Sequence, residues 1–264
     1  MCMAYDKLIS EMNMLRWSLH TFSSESNCSK FKMMNIAEMP NLQQAFLNGQ
    51  KYLENRSTIV LGISPGNPHY YKTETLERLF SLAESNSDKV LLFMPDKISE
   101  HNYKAVGSKN PEKSARVKAN RLRNKCKEVM KQMGCEERKY SYVKWVEEVE
   151  SCPAYTKAFQ NIKDLCQRND EFRCDIQEST EAALISMKNG RENASGPTDT
   201  PAIDLEEGVK YLLKELAFFD VLPKIHRNCE EFVFVYHRPW PVLEKYCCGF
   251  YDGIVKPSLG YVVF

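Results

Sequence analysis

Apolar positions recur along the chain with two periods, and the alternation between them sets out the elements. Ser57–Ile63 is a short β-branched apolar run and Lys89–Met94 is another, the pattern of strands buried on both faces. Between them, Thr73-Glu74-Thr75-Leu76-Glu77-Arg78-Leu79-Phe80 opens a helix, with Thr73 as its N-cap and acids in its first turn. Strand, helix and strand in about 40 residues predict a βαβ unit and hence a parallel sheet. Helical spacing returns from Pro111 to Met133, and again over 153–188. Tyr140–Trp145 is a weaker strand candidate. Residues 187–201 form a polar loop, and a helix follows from Asp204 to about Phe219. Phe232–Tyr236 is a further strand, a short helix lies near 240–247, and Gly260–Phe264 is the last strand. The expected fold is α/β: a doubly wound parallel sheet with helices on both faces. Residues 1–50 read as a helical lead-in and loop, and 51–264 as one domain.

Composition adds limits. At 43% hydrophobic, 264 residues can bury one substantial core. Ten cysteines include no CxxC pair and no Cys/His set with zinc-ligand spacing, so no metal is expected. The N-terminus lacks a basic stretch followed by an apolar run, and no segment approaches the 18 or so apolar residues of a membrane span. A cytoplasmic monomer, away from membranes, is the expectation.

The net charge is only +1, but it is segregated. From Glu112 to Lys131, eight basic residues face two acids, a local +6 that leaves −5 for the rest of the chain. At about 100° per residue, Ala115, Ala119, Leu122, Cys126, Val129, Met130 and Met133 share one apolar side. Lys113, Arg116, Arg123 and Lys127 lie along a basic stripe, with Arg121 and Lys125 on another. A solvated face is the ordinary meaning of such a run, but this density of one sign points to a polyanion contacted through its phosphates.

Three groups could carry chemistry. Gly62-Ile63-Ser64-Pro65-Gly66-Asn67 follows the first strong strand, where open parallel sheets bind ligands. Its glycines keep side chains away and permit unusual backbone angles, so the loop can aim a hydroxyl at an acyl carbon. The same letters match G-x-S-x-G, the hydrolase nucleophile elbow. That elbow turns straight into a helix, however, whereas Pro65 and Pro68 delay this one. Tyr211 and Glu215 stand four apart on one helical flank, with Gly208 before them leaving space and Phe218 and Phe219 after. A carboxylate among aromatic residues can hold a substrate ammonium, and those aromatics point to apolar substrates. On the Phe232–Tyr236 strand, Tyr236 faces one way and His237 the other, so His237 reads as structural.

In order and spacing these groups, with the basic helix among them, resemble the cyclodipeptide synthases over about residues 57–250. The resemblance implies that residues 51–264 form a Rossmann-like catalytic domain similar to that of class I aminoacyl-tRNA synthetases. It implies that aminoacyl groups from two aminoacyl-tRNAs are joined by a ping-pong route through a Ser64 ester, without ATP or another cofactor, to give a 2,5-diketopiperazine. Ser64 matches the nucleophile. Gly62 and Asn67 match substrate-side positions in its loop, Tyr211 and Glu215 the pair that binds the amino group, and Tyr236 the tyrosine that assists proton transfer. Asn67, Tyr236 and His237 match the trio of the Asn-Tyr-His subfamily. A serine esterase and a non-catalytic tRNA-binding domain are the competing readings.

Overall fold

The computed structural model describes residues 44–195, 202–226, 229–251 and 259–264. Among the described residues six strands form one sheet: β1 (Gln44–Phe46), β2 (Thr58–Gly62), β3 (Val90–Phe93), β4 (Tyr140–Tyr142), β5 (Phe232–Tyr236) and β6 (Leu259–Val263). Their spatial order is β1-β6-β5-β2-β3-β4. All neighbours run parallel except β1, which pairs antiparallel with β6. The chain winds outward from β2 through β3 to β4, then returns to lay β5 against the other side of β2. The winding therefore reverses between β2 and β5. In such sheets a crevice opens there, beyond the carboxyl ends of the strands.

The helices are α1 (Gly49–Glu54), α2 (Thr73–Asn86), α3 (Ser99–Ala105), α4 (Pro111–Met133), α5 (Pro153–Arg168), α6 (Asp170–Ser195), α7 (Leu205–Ile225) and α8 (Pro241–Cys247). Strand alternation divides the core between the faces. Ile59, Leu61, Ile63, Val233 and Val235 pack with α1, α2 and α4. Val60, Phe93, Phe232, Phe234 and Tyr261 pack with α5, α6, α7 and α8. Helices on both faces are thus what the two strand periods predict.

Local chemistry explains the sharpest boundaries. α4 starts where the Asn110 side chain accepts from the Lys113 N–H at 3.2 Å, with Pro111 in the first turn. It stops at Gly134, whose φ of +68° lets the Gly134 and Cys135 N–H groups donate back to Lys131 and Met130.

Several expectations are corrected. Thr73 begins α2 rather than capping it. The cap position is Lys72, which closes the preceding 3-10 turn (Pro68–Tyr71) and offers no side-chain cap. The helical stretch 153–188 is two helices, because Asn169 accepts from the Phe172 N–H at 2.8 Å and starts α6 afresh. α6 then runs through most of the expected loop, to Ser195; 196–201 lie outside the described residues. α7 extends past Phe219 to Ile225 because Val221 and Leu222 are buried, and Pro223 in its last turn removes only one N–H donor. β4 ends at Tyr142, and a π-helical turn (Trp145–Glu150) replaces the rest of that strand candidate. Before residue 51, β1 and the start of α1 already belong to the sheet assembly, and 1–43 lie outside the described residues.

Candidate active site

Ser64 stands two residues beyond Gly62, the last residue of β2, at the point where the winding reverses. The Ile63 N–H still donates to Phe93 at 2.9 Å, so the sheet holds the loop up to the residue before Ser64. The Asn67 N–H then donates to the Ser64 carbonyl at 3.1 Å and closes the turn. Neither Gly62 nor Gly66 has a positive φ, so backbone freedom is not what their positions need. Gly62 is required for space: a methyl group there would fall 2.6 Å from Phe234 ring carbons and 3.1 Å from Tyr236 Cδ2. Gly208 is likewise filled rather than open, since a methyl there would lie 2.6 Å from Leu184 and 2.9 Å from Thr180 on α6.

His237 does not face away from Tyr236 as alternation predicts: β5 ends at Tyr236, and the next ring turns back to meet it edge-on with centroids 4.3 Å apart. Asn67 Oδ1 accepts from the His69 N–H at 2.9 Å, which leaves its Nδ2 to donate to His237 Nε2 at 2.9 Å. With Nε2 accepting, the ring proton of the neutral imidazole lies on Nδ1 and is donated to the Tyr70 hydroxyl at 3.0 Å. Burial, followed by Arg238 and His69, lowers the His237 pKa to about 3. Both nitrogens are in use and the ring is neutral. His237 is therefore a clamp on the serine loop and is unsuited to serve as a general base near neutrality. Tyr70, fully buried, is a functional position that sequence reasoning missed. No periodicity marks it, and only its place in the Pro68–Tyr71 turn brings it to His237.

Tyr211 and Glu215 lie on α7 over the same sheet face as Gly62 and Phe234. Glu215 is 8% exposed, and burial raises its carboxyl to about 8, opposed only by a hydrogen bond from Tyr211. Among the described residues no Lys, Arg or His forms an ion pair with it. Tyr236 is close enough for the Glu215 charge to act on its phenol. Burial raises that phenol to about 12, the Arg238 guanidinium opposing and Glu215 reinforcing the shift. The Tyr236 ring stacks on Phe234 (centroids 5.7 Å, 17°) and lies 6.3 Å from Tyr70. Tyr211, Glu215 and Tyr236 thus gather with the Gly62 backbone at the strand ends, and Tyr70 and His237 join that group to Asn67 in the serine loop.

α4 keeps its predicted apolar side buried as far as Met130, and Met133 is half-buried. Lys113, Arg116, Lys118, Arg121, Lys127 and Lys131 are exposed. Arg123 departs from the expected stripe: it is half-buried, pairs with Asp96 and lies over the Tyr142 ring. Lys125 pairs with Glu128. The helix reaches the serine loop through Tyr71, whose hydroxyl lies 3.1 Å from the Pro65 carbonyl and 3.2 Å from that of Lys118, under the Arg121 guanidinium. Among the described residues no His/Cys/Asp/Glu cluster is arranged to hold a metal, and no helix is long and apolar enough to cross a membrane.

A family model described as cyclodipeptide synthase matches residues 44–264. The cyclo(L-leucyl-L-leucyl) synthase of Bacillus subtilis (strain 168) is 22% identical over 219 residues, 82% of this chain and 85% of its own. The crystal structure of a cyclodipeptide synthase from Bacillus thermoamylovorans superposes with a TM-score of 0.67 at 24% identity, covering 82% of this chain and 91% of that one. A cyclodipeptide synthase from Candidatus Glomeribacter gigasporarum, bound to Phe-tRNAPhe, gives 0.53 at 18% identity, covering 78% and 87%. The structural likeness extends to class I aminoacyl-tRNA synthetases.

Proposed function

The chain belongs to the cyclodipeptide synthase family, and on that premise we propose that Ser64 accepts an aminoacyl group from one aminoacyl-tRNA and holds it for joining to a second. One observation carries this reading: Glu215, a buried carboxyl without a cation, faces the strand ends from which Ser64 projects. An incoming α-ammonium supplies the missing charge. Its arrival favours the carboxylate, and the Tyr211 hydroxyl orients it. A carboxyl raised to about 8 is also matched to taking a proton back from that ammonium when a free amine is needed.

The steps balance. The Ser64 hydroxyl attacks the aminoacyl ester, and the tRNA ribose hydroxyl leaves with the proton that Ser64 gives up. The α-amine of the enzyme-bound residue then attacks the ester of the second aminoacyl-tRNA and releases its tRNA. The reverse attack would strand the dipeptide on tRNA. The free amine of the dipeptidyl-enzyme closes on the Ser64 ester, giving the 2,5-diketopiperazine and restoring the hydroxyl. The first transfer exchanges one ester for another and each of the two later steps turns an ester into an amide, so no ATP is required. Release of the first tRNA before the second reacts makes the kinetics ping-pong. Tyr236, beside Glu215, relays protons in the last two steps. The Asn67–His237 clamp supports assignment to the Asn-Tyr-His subfamily.

Lys113, Arg116 and Lys127, exposed on α4, bind tRNA phosphates. Arg123 acts through Asp96 instead. The enzyme works as a cytoplasmic monomer without a metal. The esterase reading lacks its base, because the His237 imidazole is committed to Asn67 and Tyr70.

The test is Ser64→Ala with charged tRNAs. The variant forms no diketopiperazine by mass spectrometry, and the wild-type chain shows an aminoacyl mass adduct that the variant lacks. Undiminished product from Ser64→Ala would end the covalent mechanism.

A further inference from the structure

The acyl carbon that reaches Ser64 and the ammonium that reaches Glu215 flank the same Cα. That Cα must lie between the end of β2 and α7. Its ester side faces the departing tRNA, so its side chain is directed inward, toward the sheet face shared by Gly62, Phe234 and Tyr236.

That direction is already filled with rings. Phe218 and Phe219 follow Glu215 by three and four residues, so they lie on its side of α7. Phe218 stacks on Phe93 with centroids 4.5 Å apart and planes 12° from parallel. Phe219 meets Phe234 edge-on at 4.8 Å. Phe93, Phe218, Phe219 and Phe234 are each at most 1% exposed. Phe234 already stands where even a methyl group on Gly62 would go. The floor is therefore flush with the backbone that presents Ser64. Interiors packed in this way resist an added large group, because admitting one means moving a ring out of contact with its neighbours.

Resting on the reading of Ser64 and Glu215 given above, we propose that the first aminoacyl group has a side chain no larger than hydroxymethyl: glycine, alanine or serine. Phe218 and Phe234 set this limit. The apolar preference read from the aromatic sequence thus narrows to small groups, with the rings acting as filler rather than as a seat for another ring.

The experiment uses the full chain and aminoacyl-tRNAs supplied one at a time, with the adduct followed by intact mass. Gly-, Ala- and Ser-tRNA are expected to acylate Ser64 at least tenfold faster than Leu-, Phe-, Tyr- and Trp-tRNA. Phe218→Leu and Phe234→Leu should each raise the rate with Leu- and Phe-tRNA relative to Ala-tRNA by about tenfold. Because the wild-type ranking needs no variant to fold, it is a test by itself. Adducts from Leu-, Phe-, Tyr- or Trp-tRNA as fast as those from Ala-tRNA would overturn the size limit while leaving the acyl-enzyme intact. No adduct from any of the twenty, with no diketopiperazine, would instead remove the reading on which the limit rests.

Discussion

Two carboxylates on α7, two turns apart, expose nearly the same small surface and titrate in opposite directions. Glu207 is 5% exposed and Glu215 8%. Burial pushes Glu207 up, but hydrogen bonds from Lys210, His101 and Lys104 overcome it and bring its pKa down to about 2. Those partners lie at 2.7, 2.8 and 3.2 Å. Glu215 lies deeper among packed side chains, so burial costs its charge more, and only the Tyr211 hydroxyl offsets that, so it rises to about 8. Exposed surface alone therefore does not decide what a carboxylate does. Glu207 has its cations built in and ties the start of α7 to α3, where the Asp204 N–H also donates to Ala105 at 2.9 Å. Glu215 has no such cation among the described residues, which is why the proposed function gives it the substrate ammonium.

Glu215→Gln should have the largest effect. Loss of the carboxylate that faces a buried ammonium is expected to cost about 3–4 kcal/mol, roughly 150- to 1,000-fold in kcat/KM for diketopiperazine formation. The same variant should be more stable. The unfolded carboxyl ionises near 4.5, whereas the folded one keeps its proton to about 8. Wild-type stability therefore falls by about 1.4 kcal/mol per pH unit across that window, from this group alone. Glutamine does not ionise, so the variant's advantage is absent at pH 4 and largest at pH 8 and above. Urea denaturation at pH 4, 6 and 8 measures it, and equal stability at all three would break the contrast with Glu207.

Glu207→Gln should do the reverse. A depressed pKa contributes stability that is fully present above 4.5 and lost as pH falls through about 2. The variant should lose roughly 2–3 kcal/mol at pH 7 and progressively less below pH 4.5, in the same denaturation series. A loss that did not shrink with acid would mean that packing, rather than charge, makes Glu207 matter.

The smallest effects belong to α4. Arg116→Glu and Lys127→Glu should each raise KM for aminoacyl-tRNA several-fold, about 1 kcal/mol, and flatten the dependence of log KM on log salt by about one contact. Arg123→Gln should leave that slope alone and lower thermal stability, because its charge is spent on Asp96. Equal salt slopes in all three would return Arg123 to the tRNA-facing stripe.

What was legible in the sequence follows from how local each signal is. β2, β3 and β5 are continuous apolar runs because both faces are covered, and they read at once. α4 carries its start in Asn110-Pro111 and its stop in Gly134. β1 has three residues and no period to detect, and α3 has seven. The start of α6 was written in Asn169-Asp170-Glu171, a cap with acids behind it, but the continuous helical spacing on either side obscured it. Among the site residues, Ser64, Tyr211, Glu215 and Tyr236 stood out through spacing. The task of Gly62 did not, since it depends on a ring 172 positions away. Strand alternation misplaced His237, because β5 ends at Tyr236 and the following ring is free to turn back against it. Alternation also cannot tell that the serine loop folds over His237, so Asn67 and Tyr70 remained unconnected to it.

Tyr71 holds a single hydroxyl proton between two carbonyls, those of Pro65 and Lys118. One proton cannot satisfy both at full strength. The Lys118 carbonyl lies inside α4 and also accepts a helical N–H, so it does not depend on this proton. The serine loop is thus tethered to the basic helix through one shared hydroxyl, and a displacement of α4 would bear on the residue immediately after Ser64.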